Sequence, residues 1–583
     1  MPLAISTIPA IVILAFILHY GVNVPYYDQW QCEAPMFRKF LEHQLTFADL
    51  WAQHNEHRMF FPRLVYLPLA YFTHWNVKAE LIAAWLCVCI VSFSVYRMHR
   101  SVSGPIGATE VKPFIAANML IFSPASSEAW LWGVSLANLL PMACIIGAMA
   151  VACSNRRSHW RLGLCAVLAI IATFSTASGL LCWILCAPLL FLRSDPPRWS
   201  ERRLWPVLAW TGGFVLTTAA YFYHYTRPAD HPPPAESLQH PLDALAFLLL
   251  YQGNPLTFLT QTDHFLVAQI IGGTMLTLLL LAGGYLLYRW RDDRLRDRGL
   301  IWTMLGAYSV GNGILITVSR MGIGIGAAVW PRYASYALML PVALIFLLPL
   351  LAEDLVQRTS RWNIRPMATG VLRALLLAAL ALHICKFTVS VQDFPILQAG
   401  LLHRKAALLF IDVIHQDGPR LMGEASEEEM RGAADVLNAH GWLRPPLIQR
   451  ARMQDMEDSR ITNIGAYGKI EWAGDAGNGK TGINGWARNP RTRSPADAVV
   501  LSWEQPGGDA VPFAIADMGF QRPGEPAGSS RRSSNWRAAF PSSLLPEGKL
   551  DIRAWSLDTS SGKAVRLLGS FRLNILPRPP TGP

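Results

Sequence analysis

The sequence predicts a polytopic α-helical membrane protein, about eleven transmembrane helices followed by a C-terminal all-β sandwich domain. Three observations carry this. The 583 residues are 52% hydrophobic and 16% charged, whereas soluble chains carry about 25% charge, so too little polar surface exists to cover the chain in water. Long apolar runs alternate with short loops, several of them Arg-rich. Beyond Tyr467 the pattern changes to short alternating segments between Gly, Pro, Asn and Ser clusters. The basic excess, 51 Lys and Arg against 40 Asp and Glu, belongs in a membrane protein to its cytoplasmic loops, and nucleic acid is set aside as a partner.

Apolar runs begin near Ile5, Ala79, Phe114, Gly133, Leu162, Leu180, Leu204, Phe265, Leu300, Tyr333 and Met367. The first lacks a basic n-region and continues into GVNVPYY rather than a small-residue cleavage site, so it reads as an uncleaved helix. Five loops (97 to 112, 156 to 161, 193 to 203, 289 to 298, 358 to 365) hold eighteen Lys and Arg, and the alternate loops hold six. The positive-inside rule puts the first set in the cytoplasm, together with the N-terminus, and everything after about Ser390 outside. Eight of the nine cysteines lie in apolar runs and Cys32 in a polar loop, so neither a disulfide framework nor a zinc pair is expected. The expected division is a membrane domain over 1–390 with an outer loop at 21–62, a helical linker over 391–458, and the sandwich over 459–583. In the tail, His403 to Arg452 reads as amphipathic helix. Seven segments then read as strands: KIEWAG, TGINGWAR, AVVLSWEQ, VPFAIAD, NWRAAF, KLDIRAWS and AVRLLGSFRLNIL.

The first outer loop concentrates chemistry. NVPYYDQWQCEAPMFRKF and DLWAQHNEHRMFFPRL, with His43 between them, bring together Asp28, Glu33, Asp49, Glu56, three histidines and three arginines among Tyr and Trp. A plain connector needs neither that length nor those aromatics. Asp28, just after the first helix, is placed to accept a proton from a hydroxyl, the general-base role, with Glu56 and Glu128 as further candidate carboxylates. In HNEHR, His54 and His57 would share a helical face. The order QHNEH matches neither HExxH nor HxxEH, and no metal is assigned. His54, Asn55, His57 and Arg58 are expected to bind substrate. Arg320 and Arg332 flank GIGIG, with Tyr333 following. A planar guanidinium suits phosphate oxygens, so the two arginines are expected to clamp a phosphate. GIGIG follows a membrane helix rather than a strand, so it reads as a pliable loop and not a nucleotide fingerprint.

One long first helix, an outer loop opening on an acidic residue, and many further spans resemble the GT-C superfamily of membrane glycosyltransferases over roughly the first 390 residues. HNEHR with FFPRL, SPASSEAWLWG, ATFSTASGLLCW, SRMGIGIGAAVWPRYASY and the GWA string at Gly485, Trp486 and Ala487 are similar to segments of bacterial membrane proteins associated with that superfamily. The superfamily's acidic motif is often a pair one residue apart, and here Gln29 and Trp30 follow Asp28. The resemblance implies an inverting enzyme of a bacterial inner membrane. It would use a polyprenyl-phosphate sugar as donor and a glycan, lipid or protein as acceptor, with membrane lipids around it. Phosphate is a good leaving group, so no cofactor is required, although a divalent metal is compatible. The alternatives are a polysaccharide polymerase or ligase with a lipid-diphosphate donor, and a non-catalytic transporter or scaffold of the cell envelope.

Overall fold

The computed structural model describes residues 2–104, 111–154, 158–193, 204–228, 231–258, 264–358, 365–414, 426–461, 463–504, 508–519 and 533–575. It divides into two compact units: 1–19, 47–65 and 80–393 form the first, and 20–46, 66–79 and 394–583 the second.

The first unit is helical. Across the described chain six segments are long and apolar enough to cross a membrane: Val77–Ser103, Ser135–Ala152, His264–Tyr288, Asp293–Ile323, Pro331–Arg358 and Leu377–Leu409. The eleven apolar runs exceed this number because several form short helices. Ile8–Tyr20, Val111–Ile121 and Leu181–Phe191 have 13, 11 and 11 residues. Polar breaks interrupt them. Ser123 caps a 3-10 turn over Pro124–Ser126, its hydroxyl accepting from the Ala125 N–H at 3.1 Å. Another such turn, Ala177–Leu180, precedes Leu181–Phe191. On His264–Tyr288, Met275, Leu279, Ala282 and Leu286 are buried while Leu280, Leu281 and Leu287 are exposed, as expected of a helix with one packed face and one lipid-facing face. This helix lies against Pro241–Gly253 closely enough to need glycine. A Cβ at Gly253 would fall 1.8 Å from the Ala268 carbonyl oxygen, and one at Gly272 2.0 Å from that of Leu249.

HNEHR forms no helix. Strands β1 (Gln53–His54) and β2 (His57–Arg58) pair as a hairpin, His54 directly opposite His57. Asn55 and Glu56 make the turn, and Asn55 takes φ +48°, a left-handed conformation that asparagine tolerates. The two histidines therefore meet across strands and not along a helix.

The second unit holds eight further strands: β3 (Gly468–Asp475), β4 (Lys480–Ala487), β5 (Ala498–Glu504), β6 (Val511–Met518), β7 (Asn535–Pro541), β8 (Gly548–Asp558), β9 (Lys563–Arg566) and β10 (Phe571–Ile575). All seven expected segments are strands. The last divides in two, with Gly569 at φ +94° between its halves. The expected sandwich is instead one continuous antiparallel sheet, in the order β10-β8-β5-β6-β7-β4-β3 with β9 on β8, rolled into a half-barrel. The corner is β6, which pairs with β5 through residues 511–516 and with β7 only through Asp517 and Met518. The inner faces of β4 to β8 then share one core of Ile483, Leu501, Ala516, Trp536, Phe540 and Ile552. Outside, Ala498 and Val500 of β5 and Trp555 and Leu557 of β8 are covered by Ala406, Leu409, Phe410 and Ile414.

The stretch read as helical and amphipathic from His403 to Arg452 holds the end of the helix Asp393–Leu409 and all of Glu427–Ala439, with irregular chain after the second. Ser426 caps the second helix: its hydroxyl accepts from the Glu429 N–H and donates to the Glu429 carboxylate at 2.8 Å. The same unit buries Glu33 completely, where its carboxylate accepts from Gln29 Nε2 (3.3 Å) and Trp75 Nε1 (3.2 Å). Phe37 packs edge-on against Trp75 and Trp442, ring centroids 5.1 and 5.5 Å away.

Candidate functional site

The β1–β2 hairpin is strapped to the end of the helix Leu204–Phe222. Arg58 Nε donates to the Tyr221 carbonyl at 2.9 Å, Nη2 to that of Tyr223 and Nη1 to that of Trp51 at 3.2 Å. The Tyr221 hydroxyl donates to the Glu56 carbonyl, and the Thr226 N–H donates to Gln53 Oε1 at 3.1 Å. These bonds fix the tip of the hairpin, and the Glu56 side chain with it.

Around that carboxylate the first unit assembles three basic side chains. Arg320 Nη2 donates to Oε1 at 2.6 Å, His231 Nδ1 stands 2.9 Å from Oε2, and His57 Nε2 is 3.9 Å from Oε1. That 2.9 Å approach is an ion-pair contact without hydrogen-bond geometry, and the hydrogen bond made by His231 Nδ1 is with Arg320 Nη1, which donates at 3.4 Å. His57 Nδ1 accepts from the Ala177 N–H at 3.3 Å, which leaves its proton on Nε2, toward Glu56. Burial would raise the Glu56 carboxyl, but His57, Arg320 and His231 outweigh it and hold the group below the ordinary glutamate value. Burial lowers the His57 imidazole, and Arg320 and His231 add to that effect against Glu56. The result is a half-buried carboxylate that stays ionised, held by one guanidinium and flanked by two imidazoles from 57 and 231.

His54 is pushed down to about 4, first by burial and then by the positive fields of His57 and Arg63. It is neutral when folded at neutral pH. Unfolding restores a pKa near 6.5, so the unfolded chain binds more protons as pH falls from about 6.5 to 4. Stability is therefore fully present above about 6.5 and declines through that window. Thermal unfolding of the purified protein should show this fall, and His54→Gln should flatten it; an unchanged pH profile in the variant would remove His54 as its source.

The second arginine has its own carboxylate. Arg332 Nη1 donates to Glu128 Oε1 at 3.2 Å. Its guanidinium carbon lies 4.3 Å from the Trp330 ring centre and 5.4 Å from those of Trp132 and Tyr333. Such stacking holds a cation with about 0.5–2 kcal/mol per good contact.

Several expectations change in substance. Arg58 is buried and turns its guanidinium to backbone carbonyls, so it fixes the hairpin instead of facing a substrate. Asn55 serves the turn. GIGIG is not pliable throughout. A Cβ at Gly322 would fall 2.2 Å from the Glu236 carboxylate and 2.5 Å from Pro232, and Gly324 needs φ +122°. Asp28, half-buried, opens the short helix Asp28–Cys32 in the second unit, whereas Glu56, Glu128, Arg320 and Arg332 belong to the first. Among the described residues no group of three or more His, Cys, Asp or Glu is gathered to hold a metal ion.

Sequence reasoning missed His231. It lies in DHPPP, within a loop weighed only for its Lys and Arg, and nothing in its spacing ties it to Glu56, 175 residues earlier. Buried Glu33 was counted as loop charge because its partner Trp75 is 42 residues on. Comparison with models of protein families, with curated proteins and with solved structures finds no match to this chain.

Proposed function

We propose that the protein is an integral membrane glycosyltransferase of GT-C type, with about eleven spans, its N-terminus in the cytoplasm and its site at the outer face of a bacterial inner membrane. A polyprenyl-phosphate sugar enters from the bilayer. The acceptor hydroxyl attacks the anomeric carbon, its proton passes to a general base, the role that the sequence suggests for Asp28, and the bond from that carbon to the phosphate oxygen breaks with inversion. The leaving phosphate takes both bonding electrons, and arginine neutralises the charge it gains. The observation that carries this reading is the constellation of Glu56, Arg320, His57 and His231, drawn from three loops that the charge asymmetry assigns to one side of the membrane.

In this constellation Glu56 holds the guanidinium and imidazoles where an anion is met, so a phosphate would share donors with a carboxylate already in place. Arg332 and Glu128 would act alike within their aromatic box. A second reading concerns the base alone. His231, whose ring lies 2.9 Å from Glu56 Oε2, is the alternative proton acceptor to Asp28.

The test is mass spectrometry of surface glycans and lipid carriers from a deletion strain, complemented by the native gene or by Arg320→Ala. A sugar absent from the deletion strain, restored only by the native gene, is expected. Carrier released as the monophosphate supports this reading, and release as the diphosphate supports a polymerase or ligase. Unchanged glycans and carriers in the deletion strain would refute sugar transfer.

A further inference from the structure

The rolled sheet has two different outer halves. Over β5 and β8 the outer face is covered by the chain between Ala406 and Ile414. The face formed by β3, β4 and β7 carries a different set of side chains, and the registers place them in a row. Trp472 of β3 is opposite Asn484 of β4, Asn484 is opposite Arg537 of β7, and Arg537 is opposite Asp517 at the end of β6. Two residues along β4, Trp486 shares this face, opposite Lys469 of β3, with the Arg488 guanidinium carbon 5.6 Å from its ring centre.

Trp472 is held in a built seat. A register shift between Ile470 and Trp472 turns its side chain outward, and Gly474 pairs directly with Gly482 next to it. A Cβ on either glycine would fall 2.9 Å from the indole, so the ring lies flat on a floor that only glycine permits. Covering glycine this way stabilises a sheet and accounts for one face of the ring. The other face is turned to solvent: Trp472 is 48% exposed, and the other exposed large hydrophobics between β3 and β10, Leu544 and Leu568, lie in the connections between strands.

A protein partner would be met by a wider apolar patch. Here one fixed ring is surrounded by an amide, a guanidinium, an ammonium and carboxylates. That combination matches a pyranose, whose axial C–H groups make one apolar face while its hydroxyls radiate from the edge. We propose that the outer face of β3, β4 and β7 binds a glycan chain, with the Trp472 indole stacking on the apolar face of a hexopyranose and Asn484 and Arg537 hydrogen-bonding its hydroxyl groups. The flat, preset indole loses little freedom on binding. This inference concerns the second unit alone and holds whether or not the chain transfers sugar.

The full-length protein in nanodiscs is passed over an array of hexasaccharides of α- and β-linked glucose, galactose, mannose, N-acetylglucosamine and glucuronate. Retention on at least one class is expected. Trp472→Ala should weaken that retention about tenfold, as for loss of a stacked aromatic anchor, and Trp472→Phe should keep part of it. Arg537→Ala, at an exposed position, should weaken retention with the unfolding temperature unchanged, so the test does not depend on how well Trp472→Ala folds. Retention on no array member, or native retention in both alanine variants, would overturn the proposal.

Discussion

Asp28→Asn is expected to lower sugar transfer about 10²- to 10⁴-fold, the usual contribution of a general base, and to leave the unfolding temperature where it was. The exchange keeps the size and hydrogen-bonding outline of the side chain and removes the basic lone pair. Asp28 is half-buried at the first position of a short helix, so an amide there strands no deeply buried charge. The assay is transfer from a radiolabelled polyprenyl-phosphate sugar by purified protein in detergent, with thermal unfolding alongside. His231→Gln is the decisive comparison. If Asp28 takes the proton, losing the imidazole should weaken donor use and spare most of the turnover at saturating donor. Near-normal turnover in Asp28→Asn beside an inactive His231→Gln would move the base to the His231 imidazole.

The second large effect is expected at Arg320. Its side chain is 14% exposed and meets a Glu56 carboxylate 17% exposed at 2.6 Å. Removing one member of a buried pair leaves the other charge without its counter-ion, at a cost on the order of 3 kcal/mol. Arg320→Ala should therefore lower the unfolding temperature as well as abolish use of the lipid-phosphate donor. The two effects separate in the double variant Arg320→Gln with Glu56→Gln, where no net charge is stranded: stability should return and transfer should not. Arg320→Lys should recover only part of the activity, because an ammonium lacks the planar fork. Transfer restored in the double variant would show that the pair serves the fold alone. Arg332→Ala should also lower the unfolding temperature, since it removes contacts with three aromatic rings and leaves Glu128 without its guanidinium.

What could be read in the sequence follows the range of the forces concerned. Strands of the tail are set by alternation over six or seven residues, and each segment from KIEWAG to KLDIRAWS became one strand. That the sheet rolls into a half-barrel depends on where β6 changes partner from β5 to β7, a relation between strands that alternation does not encode. Apolar runs located the six helices long and apolar enough to cross a membrane, yet the run at Leu180 is an 11-residue helix because the turn before it folds back. A Cβ at Gly179 in that turn would fall 1.9 Å from the Ala172 carbonyl oxygen. In the candidate site, Glu56, His57 and Arg320 stood out as charged residues in loops that charge counting had already marked. The pairing of Arg320 with Glu56 spans 264 residues and could not be read from spacing. HNEHR tempted a helical reading because i and i+3 share a face; a two-residue turn brings the same two histidines together as cross-strand neighbours.

The second unit is assembled from three stretches of chain, and this sets a clock during synthesis. Phe37 and Trp75 are made early, while Trp442, which closes over Phe37, comes far later. About 350 residues separate the first stretch from the last, so at roughly 5–20 residues per second the ribosome needs on the order of 20–70 s to supply the missing half of that core. For that interval the Phe37 ring stands without its Trp442 partner while the helices of the first unit are being made. The first loop is thus finished last, and a chain that stalls before residue 394 would present to the cell an apolar surface that quality-control proteases and chaperones are equipped to recognise.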